Sequence, residues 1–93
     1  MRSVTDMAEL KDHMYTYAIA YLRIYGESMQ GEIIESFRRS FPEECERRSV
    51  FTLRNYMTRE ISRRLKWEGA DAPIQRTGNK TIVLREGYAW PEA

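Results

Sequence analysis

The sequence predicts a mainly α-helical domain that ends in a small β-hairpin. Three observations carry this. The first is the stretch Ser49 to Gly69, SVFTLRNYMTREISRRLKWEG, which has helical spacing and two chemically different sides. The second is a pair of shorter helix-patterned stretches before it, separated by Gly26 and closed by Pro42. The third is IQRTGNKTIVL, in which Gly78-Asn79 sits between β-branched runs.

The third helix, expected over 49–68, organises the chain. Val50, Leu53, Met57 and Ile61 recur at the spacing of one apolar stripe. Arg48, Thr52, Asn55, Arg59, Ser62 and Lys66 fall on the opposite side, with Arg63 at its edge, and that side carries no acid. Ser49 is a natural N-cap, since its hydroxyl can accept from a free N–H of the first turn. Gly69 supplies the stop. Residues 47–67 hold seven cations (Arg47, Arg48, Arg54, Arg59, Arg63, Arg64 and Lys66) and one anion, Glu60, a net of +6 in a chain whose total is +1. A charged helix face is often no more than a solvated face. A basic one is a single line of the case for nucleic-acid binding, so the neighbouring segments must decide.

Length and composition set the frame. A chain of 93 residues makes one domain with a modest core. Its 42% hydrophobic and 31% charged content fits a globular class rather than a disordered one. No apolar run approaches the ~20 residues that cross a bilayer, and no basic-then-apolar leader opens the sequence. The single cysteine, Cys45, cannot form an internal disulfide, which favours a reducing compartment. The expectation is a cytoplasmic protein.

The first helix is expected over 6–25, with Asp6 as N-cap and Glu9 three residues on. Glu9, Asp12, Thr16, Ala20, Arg23 and Glu27 form one narrow polar side, and the rest of Met14–Tyr25 is apolar or aromatic. Such a helix is either central and wrapped by its own domain, or it meets a second copy of the protein with its other side. So little other chain is present to cover it that the expectation is a homodimer, with Tyr15, Ile19 and Leu22 at the interface. The row Tyr17, Tyr21 and Tyr25 is the competing face.

Gly26 ends the first helix, and Ser28 is placed to cap the second, expected over 29–39 with Ile33 or Ile34, Phe37 and Phe41 on its buried side. Pro42 breaks it. FPEECERR then connects to the third helix, with room for one helical turn from Pro42 and acids suited to its start. The hairpin is expected over 74–85, with Gly78-Asn79 as a two-residue type II′ loop that sets Ile74 opposite Val83 and Arg76 opposite Thr81. Residues 88–93 form a tail with Trp90 docked.

Three helices followed by a two-stranded hairpin resemble the winged helix-turn-helix superfamily, on QGEIIESFRRSF and SVFTLRNYMTREISRRL as the helix pair and IQRTGNKTIVLREG as the wing. The start Ser49-x-x-Thr52-Leu53-x-x-Tyr56-Met57 is similar to many recognition helices of that superfamily. Two departures stand out. The connector is about eight residues where the tight turn has 3–4, and the third helix runs long. The resemblance implies a three-helix winged domain that binds double-stranded DNA through the third helix in the major groove. Thr52, Asn55 and Arg59 would then read base edges. Arg48, Ser49, Arg63 and Lys66 would hold phosphates, with Ser62 on the same side. Arg76, Asn79 and Lys80 would bring the wing to the backbone or minor groove. Arg54 and Arg64 lie near the apolar side and are expected to be structural or to pair with Glu60 or Glu68.

Other chemistry has little support. His13 and Cys45 sit on separate segments without metal-ligand spacing. Glu43, Glu44 and Glu46 have no cleft partner, and no glycine-rich phosphate loop is present. A non-enzyme without metal or cofactor is expected: a sequence-specific transcriptional regulator of the small prokaryotic or mobile-element kind. The competing expectation is a winged-helix module whose basic helix meets an acidic protein partner.

Overall fold

The computed structural model describes residues 7–45 and 48–88. Four helices and three short strands follow in the order α1 (Met7–Tyr25), β1 (Ser28–Met29), α2 (Gln30–Ser40), α3 (Pro42–Cys45), α4 (Val50–Glu68), β2 (Ile74–Arg76) and β3 (Thr81–Leu84). The expected Asp6 cap and docked Trp90 lie outside the described residues.

The core follows from the helical stripes. Leu53, Met57 and Ile61 of α4 are at most 2% exposed and pack with Ile33, Ile34 and Phe37 of α2 and with Leu10, Met14, Ala18 and Leu22 of α1. Ile74 and Ile82 close the core from the sheet. The caps are local. Ser49 Oγ accepts from the Thr52 N–H at 3.1 Å. Gly69, at φ +58°, donates its N–H to the Leu65 carbonyl and ends α4. Gly26 ends α1 in the same way, at φ +77° with its N–H 2.8 Å from the Leu22 carbonyl.

Four details differ from the sequence reading. First, Ser28 does not cap α2. It belongs to β1, which pairs with β3 to give a three-stranded antiparallel sheet in the order β1-β3-β2. Two residues carry too little pattern to announce a strand. The cap of α2 comes instead from Glu32, whose carboxylate accepts from the Met29 N–H at 3.1 Å, and from the Lys80 carbonyl, which accepts from the Gln30 N–H at 2.9 Å. Second, the hairpin register is shifted by one: Ile74 faces Leu84 and Arg76 faces Ile82. Third, the loop is not type II′. Gly78 is not among the positive-φ glycines, and the chain closes through the Thr77 N–H on the Thr81 carbonyl at 3.1 Å. This register buries Ile74 and Ile82 together, and that burial outweighs the turn preference of Gly-Asn.

Fourth, Tyr15, Ile19 and Leu22 are 3%, 7% and 2% exposed and belong to the core of the chain itself. The row expected at a homodimer interface is therefore covered within one copy. α4 supplies much of that cover: the Arg64 guanidinium lies 4.3 Å over the Tyr15 ring. Of the tyrosine row, Tyr17 and Tyr21 are half-buried against that core and Tyr25 is exposed. Tyr17 hydrogen-bonds Ser36 and Ser40 of α2, the rings of Tyr21 and Tyr25 lie 4.6 Å apart, and Ile24 and Tyr25 are 72% and 67% exposed.

The glycine at position 78 is required by close approach rather than by φ. A Cβ there would stand 2.8 Å from Thr81 Oγ1, which in turn hydrogen-bonds Thr77 Oγ1. Gly78→Ala should cost about 1–3 kcal/mol, the usual range for overpacking, and adding Thr81→Ala should recover part of the loss. Urea denaturation measures both. A neutral Gly78→Ala would show that the loop yields freely.

Candidate nucleic-acid interface

With its apolar stripe in the core, α4 must turn its basic side outward. Ser49, Asn55, Arg59, Ser62, Arg63 and Lys66 are exposed, and Arg48 and Thr52 are half-buried. The Ser49 hydroxyl donates to Thr52 Oγ1 at 3.1 Å while accepting from the Thr52 N–H. Its one hydrogen is used within the cap, and the Thr52 hydroxyl keeps its own hydrogen to donate outward.

The hairpin is fastened alongside. Arg76 donates from Nη2 to the Thr58 carbonyl at 3.1 Å, which ties β2 to α4. Gln30 donates from Nε2 to Thr58 Oγ1 at 3.0 Å, which ties the start of α2 to the same turn. The hairpin tip is also held from the other side, by the Thr77 hydroxyl on the Glu27 carboxylate. The three elements enclose a groove of about 410 Å³ lined by Gln30, Phe51, Arg54, Asn55, Thr58, Arg76, Asn79 and Lys80. Three of these side chains are cationic and, among the described residues that line the groove, none is acidic. In α4 they come from positions 51, 54, 55 and 58, the i, i+3, i+4, i+7 set of one helical stripe.

The structure thus brings Asn55, Arg76, Asn79 and Lys80 together, with Arg59, Ser62 and Lys66 exposed along the adjoining side of α4. It places two expected phosphate holders elsewhere. Arg63 turns toward Glu60, with Nη2 2.8 Å from Oε2. Arg48 donates to the Glu44 carbonyl at 3.3 Å and lines a separate concavity with Arg38 and Arg39. Arg54, expected from the sequence to be structural or paired with Glu60 or Glu68, stands in the groove instead. Phe51, Thr58 and Gln30 were missed. The helical-wheel signal was present for the first two, but which flank of α4 faces the hairpin depends on the tertiary fold.

The opposite flank of α4 is held by ion pairs. The Glu60 side chain is 6% exposed and accepts from Arg63 and, at 2.9 Å, from Arg64, which also reaches Asp12 of α1 at 3.2 Å. Burial pushes the Glu60 carboxyl up, but hydrogen bonds and charge from the two arginines overcome this and hold it below its ordinary range. On α1, His13 Nδ1 meets Glu44 of α3 at 2.8 Å and packs edge-on against Phe37 and Phe41. Cys45 is buried, and burial pushes its thiol up, so it is a poor nucleophile. Among the described residues no group of three His, Cys, Asp or Glu could hold a metal ion, and no helix is long and apolar enough to cross a membrane.

Because the Glu60 pKa is depressed in the folded state, its contribution is present above the ordinary carboxylate range and is lost as pH falls through the folded value. Glu60→Gln should therefore destabilise the fold at neutral pH by about 1–3 kcal/mol, and the difference from wild type should shrink on acidification. Denaturation midpoints across that pH range test it, and a pH-independent difference would remove the charge from the account. Comparison with protein-family models, with curated proteins and with solved structures finds no match to this chain.

Proposed function

We propose that this chain is a winged helix-turn-helix protein that binds double-stranded DNA in a sequence-specific manner and regulates transcription. The observation that carries the reading is the acid-free groove between α4 and the hairpin, in which Arg54, Arg76 and Lys80 converge beside Asn55. Support for the winged-helix part comes from the order helix, strand, helix, one-turn helix, helix, hairpin, with the hairpin beside the most basic helix. On this reading α4 enters the major groove and offers Asn55 and Arg59 to base edges, with Thr52 as a hydroxyl donor. Lys66 from the helix and Arg76, Asn79 and Lys80 from the wing hold phosphates.

The exposed ring of Phe51, at 71%, on the wall of this groove favours a second reading, a module that docks an acidic protein partner against the same face. Binding to DNA separates the two. Duplex DNA should bind with a steep negative salt dependence from counterion release. Arg59→Ala should weaken a selected site more than random DNA. Arg76→Ala together with Lys80→Ala should weaken both alike and flatten the salt slope by about 1–2 units. Absence of duplex binding at low salt would sink the proposal.

Homodimerisation is part of the proposal, with its surface moved to the exposed end of α1 and β1, where Ile24, Tyr25 and Met29 stand out. A two-fold pair through that patch would be self-complementary. Sedimentation should show a dimer at micromolar concentration and a folded monomer for Ile24→Glu. A wild-type species of 11.1 kDa would remove the dimer.

A further inference from the structure

We infer that Phe51 is a specificity-determining residue, whose ring meets the C5-methyl group of a thymine in the major groove. The inference rests on the DNA-binding reading above and adds to it which kind of base edge the first turn of α4 recognises.

A lone exposed apolar residue is ordinary, so exposure alone carries nothing. The position of Phe51 is what matters. The residue is second in α4, directly after Val50 and two after the N-cap Ser49, in the part of a recognition helix that reaches base edges. At 71% exposed it is hardly used by the core, although Val50 and Leu53 beside it pack there. It is also the one apolar side chain lining a groove otherwise built of Gln, Arg, Asn, Thr and Lys. Asn55 lies one helical turn on and can bond bidentately to an adenine, and Arg54 can reach a guanine or a phosphate.

The ring therefore presents an apolar surface inside an electropositive recess that draws in a polyanion. The exposed apolar group on a major-groove edge is the thymine methyl, and phenylalanine is among the side chains that contact it. An acidic peptide would satisfy the cations of the groove but would bring no methyl at a fixed height above a charged backbone. The DNA source is the one that uses both features of the recess.

Deoxyuridine gives the test, because it pairs with adenine as thymine does and lacks only the methyl group. A duplex is first selected by the wild-type protein from a random-sequence pool. Each thymine of that duplex is then replaced in turn by deoxyuridine, and binding is measured for the wild type and for Phe51→Ala. Circular dichroism verifies that the variant, altered at an exposed position, stays folded. The expected result is a loss of about fourfold for the wild type at one or two positions, the worth of one buried methyl group. Phe51→Ala should bind the all-thymine duplex more weakly and show no further loss at those positions. A wild type indifferent to every replacement, or a variant that loses as much as the wild type, would overturn the role of Phe51 and leave the DNA-binding reading standing. If no duplex is enriched from the pool, the DNA-binding reading fails and this inference falls with it.

Discussion

The burial of Leu53, Met57 and Ile61 against α1 and α2 is the constraint on which the rest depends. A helix has one circumference. Once these three fill the core, the side chains at 55, 59, 62 and 66 must face water, and three of the seven outward groups from Ser49 to Lys66 named above are exposed arginine or lysine: Arg59, Arg63 and Lys66. Hydrophobic burial thus orients the charge, with no electrostatic term needed to do so. Electrostatics then refines the two flanks differently. On the α1 side, Glu60 gathers Arg63 and Arg64 into a network that reaches Asp12 and covers Tyr15. On the hairpin side, among the described residues that line the groove, none is a carboxylate beside Arg54, Arg76 and Lys80, and the proposed function assigns their charge to an outside partner.

The hairpin extends this asymmetry into a recess. Its strands are short, and a two-stranded ribbon of that size is marginal by itself. It is held by β1 on its free edge, by the Ile74 and Ile82 side chains in the core, and by the hydrogen bond from Arg76 to the Thr58 carbonyl, while Gln30 of α2 bonds the hydroxyl of the same Thr58. Arg76 has a double part in this: its guanidinium is fixed by the Thr58 carbonyl, so its charge is delivered at a set place on the wall of the groove. Such preorganisation lowers the ordering cost of a binding surface. The same bonds link the turn of α4 around Thr58 to the start of α2, so the groove is framed by three elements rather than by one mobile loop.

Helix identity and the outward basic side of α4 were legible in the sequence because both are written in local spacing. Leu53, Met57 and Ile61 repeat at helical intervals, Ser49 and Gly69 bracket the helix, and Asn55, Arg59, Ser62 and Lys66 fall opposite the stripe. The hairpin was legible for the same reason, but its register was not. Ile82, Val83 and Leu84 are all apolar, so pattern could not say which two face the core, and the choice that buries Ile74 with Ile82 is tertiary. β1 escaped detection because Ser28 and Met29 gain strand geometry only by pairing with β3. The face of α1 was misjudged for a related reason. Its apolar girth looked too wide for one small core, yet α2, α4 and the sheet together cover Tyr15, Ile19 and Leu22. Of the recess, Asn55, Arg76, Asn79 and Lys80 could be read singly, whereas Phe51 and Arg54 become part of it only once the hairpin is seen to lie on their flank of α4.

The central claim is that the surface shared by α4 and the hairpin receives duplex DNA. The most direct measurement is the perturbation of backbone amide NMR signals on titrating a random-sequence duplex at low salt. The account predicts shifts concentrated at Ser49–Lys66 of the outward α4 face, at Gln30 and at Arg76–Lys80, all reversed by added salt. Unshifted signals in these segments, or shifts confined to α1 and the Tyr25 end of the molecule, would contradict it.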